Sequence, residues 1–171
     1  MTQSTGSQQP SFVASGIGGL PSLQFSASAS QTITTGTNFY APASVFYVAR
    51  QLGGKSGRIL SGYNNNWLLG WWSGLMDQAY FNGWVSSARP VTTTSPYLYE
   101  AVFTGSVSTV YRNGVQLYSN SGGTEGPDGL TISEYSEVSD CQISEIMVFN
   151  AAVTTEQRQY VERYFMTKYG L

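Results

Sequence analysis

The stretch Ser108-Thr109-Val110-Tyr111-Arg112-Asn113-Gly114-Val115-Gln116-Leu117-Tyr118 is the strongest local signal in the chain. Two runs of β-branched and aromatic residues flank Asn113-Gly114. An Asn-Gly pair tolerates the positive φ values of a type I′ turn, whose twist matches that of paired antiparallel strands. The stretch therefore predicts a β-hairpin.

On the N-terminal side, short strand-like runs recur between turn residues. Leu20 to Phe25 predicts an edge strand beginning after Pro21, because proline cannot donate to a sheet ladder. Ser44 to Arg50, Arg58 to Ser61, Trp67 to Trp72, Gln78 to Val85 and Tyr97 to Phe103 read as further strands. Such regular spacing is the pattern of a sandwich or barrel. On the C-terminal side, Gly122 to Gly129 reads as a loop and Cys141 to Phe149 as the last strand. Thr154 then predicts an N-cap, with Gln157 completing a capping box. The helix spans 154–169 and ends on Gly170 at the C-cap position. Tyr160, Val161, Tyr164, Phe165 and Lys168 form the stripe expected to dock it on the sandwich. The expected fold is all-β: an antiparallel β-sandwich spanning 11–171 with one C-terminal α-helix. Residues 1–10 are a polar arm, expected to be loose unless held against a neighbouring surface.

Composition narrows the function. The chain has 171 residues, one-domain length, and only 11% of them are charged. The net charge is −2 and the eight basic residues are scattered, so no patch exists to neutralise nucleic-acid phosphates. There is no histidine, which removes His-based triads and nearly all zinc sites. The single cysteine, Cys141, reads as a small buried hydrophobe. No apolar run approaches the ~18 residues of a membrane span. The start Met1-Thr2-Gln3-Ser4 lacks the basic and apolar regions of a signal peptide. A chain exported without one fits release with a virion.

Three features together carry a family resemblance. One is Gln9-Pro10-Ser11-Phe12-Val13 with Gly19-Leu20-Pro21-Ser22-Leu23-Gln24-Phe25. Another is the hairpin around Asn113-Gly114. The third is Ser139 to Asn150, followed by Thr154-Thr155-Glu156-Gln157-Arg158 and the closing Lys168-Tyr169-Gly170-Leu171. Together they resemble the concanavalin A-like lectin/glucanase superfamily, and within it the laminin G-like jelly-roll domains of bacterial and phage proteins. The resemblance implies two curved antiparallel sheets. It also implies one strand before the Gln-Pro segment, supplied by residues 1–8 in shortened form or by a neighbour.

The superfamily includes glycoside hydrolases, whose retaining members set two carboxylates about 5 Å apart. Here Glu134, Glu137 and Asp140 are spaced by three, which does not place them on one strand face, and they fall in a loop-like stretch around Tyr135 and Val138. The chain therefore reads as a non-enzyme. Laminin G-like domains often hold calcium, which takes six to eight oxygen ligands. Asp77, Asp128 and Asp140 are far apart in sequence and read as turn and capping residues. No cofactor is expected. Glu145 matches a family position that serves a structural hydrogen bond.

The remaining candidate is aromatic. All four tryptophans lie within residues 67–84. Trp and Tyr join a large apolar face to a polar tip, which suits a pyranose ring. Tyr63, Asn65, Trp71, Trp72, Asp77, Tyr80, Asn82 and Trp84 are the candidate glycan-binding residues. On a strand Trp71 and Trp72 point to opposite faces, so one of them lies outside the core. The expected function is a non-catalytic recognition or structural module. It is either a virion component (capsid decoration or tail) that binds surface glycans, or a carbohydrate-binding domain of a bacterial adhesin or polysaccharide-active enzyme. Expected partners are its own copies in a homo-oligomer, other virion subunits and cell-surface glycans.

Overall fold

The computed structural model describes residues 1–87, 89–134 and 136–171. Tyr135, read above as part of an acidic loop, lies outside the described residues, as does Ala88. Twelve strands are described: β1 (Ser11–Val13), β2 (Ser22–Phe25), β3 (Ile33–Asn38), β4 (Ala43–Gln51), β5 (Leu60–Ser61), β6 (Trp67–Trp72), β7 (Leu75–Phe81), β8 (Tyr97–Phe103), β9 (Ser108–Arg112), β10 (Val115–Asn120), β11 (Asp128–Ile132) and β12 (Cys141–Phe149). The helix α1 spans Thr155–Tyr169. The strands form a seven-stranded sheet in the order β1-β2-β12-β4-β8-β9-β10 and a five-stranded sheet in the order β3-β11-β5-β6-β7. Every pairing is antiparallel, and the fold is the all-β sandwich expected.

The central strand β4 shows how the layers form. Val45, Tyr47 and Ala49 enter the core between the sheets, while Phe46 and Val48 face the other way, under α1. Alternating side chains of a strand point to opposite faces, so a strand covered on both sides reads as one apolar run. The hairpin forms as expected, with Asn113 at φ +48° and Gly114 at φ +76°.

Four expectations change. The segment after Pro21 is not an edge: β2 lies between β1 and β12, and β1 takes the edge. The N-terminal arm is held by its own chain. Thr2 and Thr34 exchange backbone hydrogen bonds of 2.7 and 3.1 Å, and the Thr32 amide donates to the Gln8 carbonyl at 3.1 Å. The strand read as Gln78–Val85 runs instead over Leu75–Phe81, because Asn82 turns the backbone at φ +57°. Of the expected stripe Phe165 and Val161 dock, and the buried face of α1 is Arg158, Glu162, Phe165 and Tyr169 at i, i+4, i+7 and i+11. Tyr160 and Tyr164 face outward, 61% and 42% exposed. The capping box of Thr154 and Gln157 is present, and Gly170 is left-handed at the C-cap. Among the described residues no helix is long and apolar enough to cross a membrane.

Candidate functional site

The helix α1 packs on the outer face of the large sheet, and among the described residues no α-helix lies on the five-stranded sheet. Its register sets Thr34, Thr131, Ser61, Leu68 and Tyr80 side by side across all five strands. Thr131, Ser61 and Leu68 in the middle of this row are buried, and Thr34 and Tyr80 at its ends are partly exposed. On β6, Trp67, Leu69 and Trp71 point into the core. Leu68 and Trp72 point outward by the two-residue period of a strand.

A bulge in the β6–β7 ladder shapes this region. Gly70 pairs with Gln78 and Trp71 with Met76, which leaves Asp77 unopposed at φ +60°. Position 70 must be glycine, because a Cβ there would strike the Tyr47 hydroxyl and the Tyr99 ring. That close approach lets the Tyr47 hydroxyl donate to the Leu69 carbonyl.

Two of the eight candidates are corrected by this arrangement. Trp71 is fully buried, its ring 4.7 Å from Tyr99 and 6.1 Å from Tyr47. Asp77 is also buried. It accepts from the Tyr99 hydroxyl at 2.6 Å and from Arg112 Nη1 at 2.8 and 2.6 Å. Burial, and then the Asp77 charge, push the Tyr99 hydroxyl pKa well up. Neither side chain faces a ligand at the surface; both pin the bulge.

Trp72, Tyr80 and Trp84 do come together on the outer face. Trp84 lies 5.3 Å from Trp72 and 5.2 Å from Tyr80, and keeps 37% of its surface exposed. Trp72 Nε1 donates to Glu137 Oε1 at 2.7 Å, and Arg58 Nε donates to the other Glu137 oxygen. Arg58 Nη1 continues to Asn66 Oδ1 at 2.8 Å. This chain leads from the indoles into a cleft of about 320 Å³ walled by Arg58, Tyr63, Asn66, Glu134 and Glu137. A second cleft of about 390 Å³ shares Tyr63 and Glu134 with it and continues to Thr34, Thr131, Gln3 and Gln8. Tyr63, 55% exposed, stands between the two.

Asn65 and Asn82 hold the neighbouring loop. The Asn65 amide donates to the Gly126 carbonyl and accepts from the Asp128 amide, both at 3.1 Å. Asn82 Nδ2 donates to Glu125 Oε1 at 2.7 Å. They border a cleft of about 480 Å³ at the end of the sandwich, lined by Tyr40, Asn65, Glu125 and Asp128. Sequence reasoning missed Arg58, Asn66 and Tyr40 as site residues, and weighed Glu137 only as a catalyst. The exposed run Tyr63-Asn64-Asn65-Asn66 was the available signal, but its partners lie in distant segments.

The carboxylates are committed locally. Glu134 accepts from Ser136 Oγ at 2.7 Å and from the Glu137 amide at 3.1 Å. Asp140 caps the Ala27 and Lys55 amides at 2.9 and 2.8 Å. Asp128 accepts from Asn64, and Glu145 from Tyr164, Lys168 and Tyr169. Among the described residues no three such groups gather to hold a metal. Cys141 is fully buried, and burial, followed by Asp140, raises its thiol pKa, which keeps it protonated.

No protein-family model and no curated protein sequence matches the chain. Solved structures do resemble it. The binding domain of Paraclostridial Mosquitocidal Protein 1 superposes with a TM-score of 0.66 over 92% of this chain, at 10% identity. The chain spans about half of that structure's length, 46%. Domain 4 of AbnA, a GH43 extracellular arabinanase from Geobacillus stearothermophilus, was solved in complex with arabinotriose. It matches with a TM-score of 0.56 at 12% identity, over 90% of this chain and 81% of that one. The heptameric SAP-like pentraxin from Limulus polyphemus matches with a TM-score of 0.51 at 18% identity, over 75% and 72%. These likenesses are of fold. They place the chain among two-sheet antiparallel β-sandwiches.

Proposed function

We propose that this chain is a non-catalytic carbohydrate-recognition module whose ligand lies on the outer face of the five-stranded sheet. One observation carries the reading: exposed Trp84 is braced by Trp72 and Tyr80, and Trp72 is tied through Glu137 and Arg58 to the polar cleft at Asn66. An indole offers a flat apolar surface to a sugar ring, and the cleft offers donors and acceptors to its hydroxyls. Glu137 is neutralised by Arg58 and hydrogen-bonded to Trp72, an arrangement that suits a fixed acceptor better than a nucleophile or acid. A domain of the same fold solved with arabinotriose supports the reading.

The test is a glycan array followed by calorimetry on the best ligand. Trp84→Ala should weaken binding by roughly tenfold or more, about 1.4 kcal/mol. Binding unchanged in a folded Trp84→Ala protein, or no glycan retained by the wild type, overturns the reading.

A second reading, assembly with its own copies or with other virion subunits, is favoured by one observation. Phe149, Ala151, Val153, Val161 and exposed Tyr160 line an apolar groove of about 320 Å³ beside α1. Mass photometry separates the two. A monomer favours glycan recognition alone, and a stable trimer or larger assembly favours the subunit role.

A further inference from the structure

We infer that the ligand of this face is an acidic saccharide, whose carboxylate or sulfate group is received by Arg89. The inference rests on the carbohydrate-recognition reading and specifies its ligand class.

Three of the arginines are matched within the fold: Arg58 with Glu137, Arg112 with Asp77, and Arg158 with Glu100 and Glu162. Arg89 is exposed and has neither a carboxylate nor a hydrogen-bond acceptor among the described residues. It is nevertheless held in place. Its guanidinium carbon lies 4.8 Å from the Trp84 ring centre and 6.0 Å from that of Trp72. A guanidinium held against ring faces by its charge still carries five N–H donors, and those of Arg89 meet no acceptor among the described residues. A planar fork of that kind matches carboxylate and sulfate oxygens two at a time. Because the stacked group is already ordered, less side-chain freedom is lost when an anion arrives than for a free surface arginine.

The charges around it point the same way. The carboxylate bonded to Trp72 is Glu137, and Arg58 cancels it. Arg89 therefore leaves the aromatic end of the face locally positive, on a chain whose net charge is −2. Such a local cation selects among ligands rather than attracting polyanions in general, because the rest of the surface repels them. Arg163 provides an internal control: it is stacked on a single ring, Tyr160, on α1, and carries the same charge.

The experiment is calorimetry on the intact chain with three oligosaccharide sets of matched length: neutral β-glucan, carboxylated oligogalacturonate with sialyllactose, and sulfated galactan. One acidic set should bind at least about tenfold more tightly than the neutral one at low salt, and the margin should shrink as salt rises. Which acidic set wins identifies the anion. Arg89→Gln should bring that set down to the neutral level and leave neutral binding unchanged, Arg89→Lys should recover part of the margin, and Arg163→Gln should change nothing. Equal binding of neutral and acidic sets with a silent Arg89→Gln overturns the inference while the carbohydrate reading stands. Equal losses in Arg89→Gln and Arg163→Gln overturn it as a mere effect of net charge. If no saccharide of any set binds, the carbohydrate reading falls and this inference with it.

Discussion

Both sheets of this sandwich carry arginine, carboxylate and aromatic ring together on their outer faces, and they use the combination in opposite ways. On the seven-stranded sheet, Arg158 lies 3.8 Å from the Tyr111 ring centre, between Glu100 and Glu162, with α1 closed over all of them. Glu100 has no exposed surface. On the five-stranded sheet, Arg58, Glu137, Trp72, Trp84 and Arg89 make a similar set with no helix above it. Under the helix, the charges are desolvated and each depends on its partners. In the second set Arg58 and Glu137 satisfy each other, while Arg89 is exposed and meets no carboxylate among the described residues. The difference predicts that substitutions on the covered face act on stability and those on the open face act on binding.

The largest expected effect is on the covered face. Arg158→Ala leaves two buried carboxylates without a counter-ion, and removing one member of a buried ion set typically destabilises by about 3–5 kcal/mol. Urea unfolding measures it. A loss below about 1 kcal/mol, the range of exposed pairs, would erase the contrast between the faces.

Next in size is a pH effect on the same face. Burial raises the Glu100 pKa from 4.5 to about 7, against the pull of the Gly114 amide and Arg158. The folded chain thus holds the Glu100 proton more tightly than the unfolded chain does. The resulting stabilisation is complete below about pH 4.5, declines as pH rises, and is gone above about pH 7, up to about 3 kcal/mol in all. Other carboxylates titrate in the opposite sense, so the measurable quantity is the difference from Glu100→Gln, whose amide oxygen still accepts from Gly114. That variant should gain on the wild type as pH rises from 5 to 8. A constant difference across that range would show that Glu100 does not titrate there.

What the sequence disclosed follows the same division. The strands β4, β8, β9, β10 and β12 and the helix caps were legible because alternation and capping are local. The polar strand β3, Ile33-Thr34-Thr35-Gly36-Thr37-Asn38, and β11, which opens on Asp128-Gly129, carry turn-like residues. Only pairing with distant segments makes them strands. The opposition of Trp71 and Trp72 was readable from parity, but which of them faces the core depends on where β6 lies in its sheet. Asp77 was misplaced because its bulge exists only in the pairing of β6 with β7. The helix face was misread for a similar reason. Arg158 is drawn inward by Glu100, which lies 58 residues before it, and Glu162 follows as the i+4 partner of Arg158. The aromatic cluster at Trp72, Tyr80 and Trp84 was legible as composition, whereas Arg58 and Glu137, 79 residues apart, met only in the fold.

Outside the core, Trp84→Ala should weaken glycan binding by roughly tenfold while stability falls by less than a core truncation costs, about 3 kcal/mol, since Trp84 keeps 37% of its surface exposed. A stability loss of core size, about 3 kcal/mol or more, would instead make Trp84 a packing residue and the face merely a capped sheet.

The smallest effect sharpens the comparison most, because it repeats the Arg158 experiment in the open. Arg58 and Glu137 keep 15% and 34% of their side-chain surface exposed. Without Arg58, Glu137 still accepts from Trp72 Nε1 and is reached by water. Arg58→Ala should therefore destabilise by less than about 1 kcal/mol, in line with exposed ion pairs. It also frees Asn66 and removes the local neutralisation of Glu137, so glycan binding should fall several-fold in the same protein. Unfolding and calorimetry on one preparation read both numbers. If stability falls as far as in Arg158→Ala while binding is retained, the open set of charges is structural too, and the ligand belongs elsewhere. The cleft at Tyr40, Glu125 and Asp128 would then be the next surface to probe.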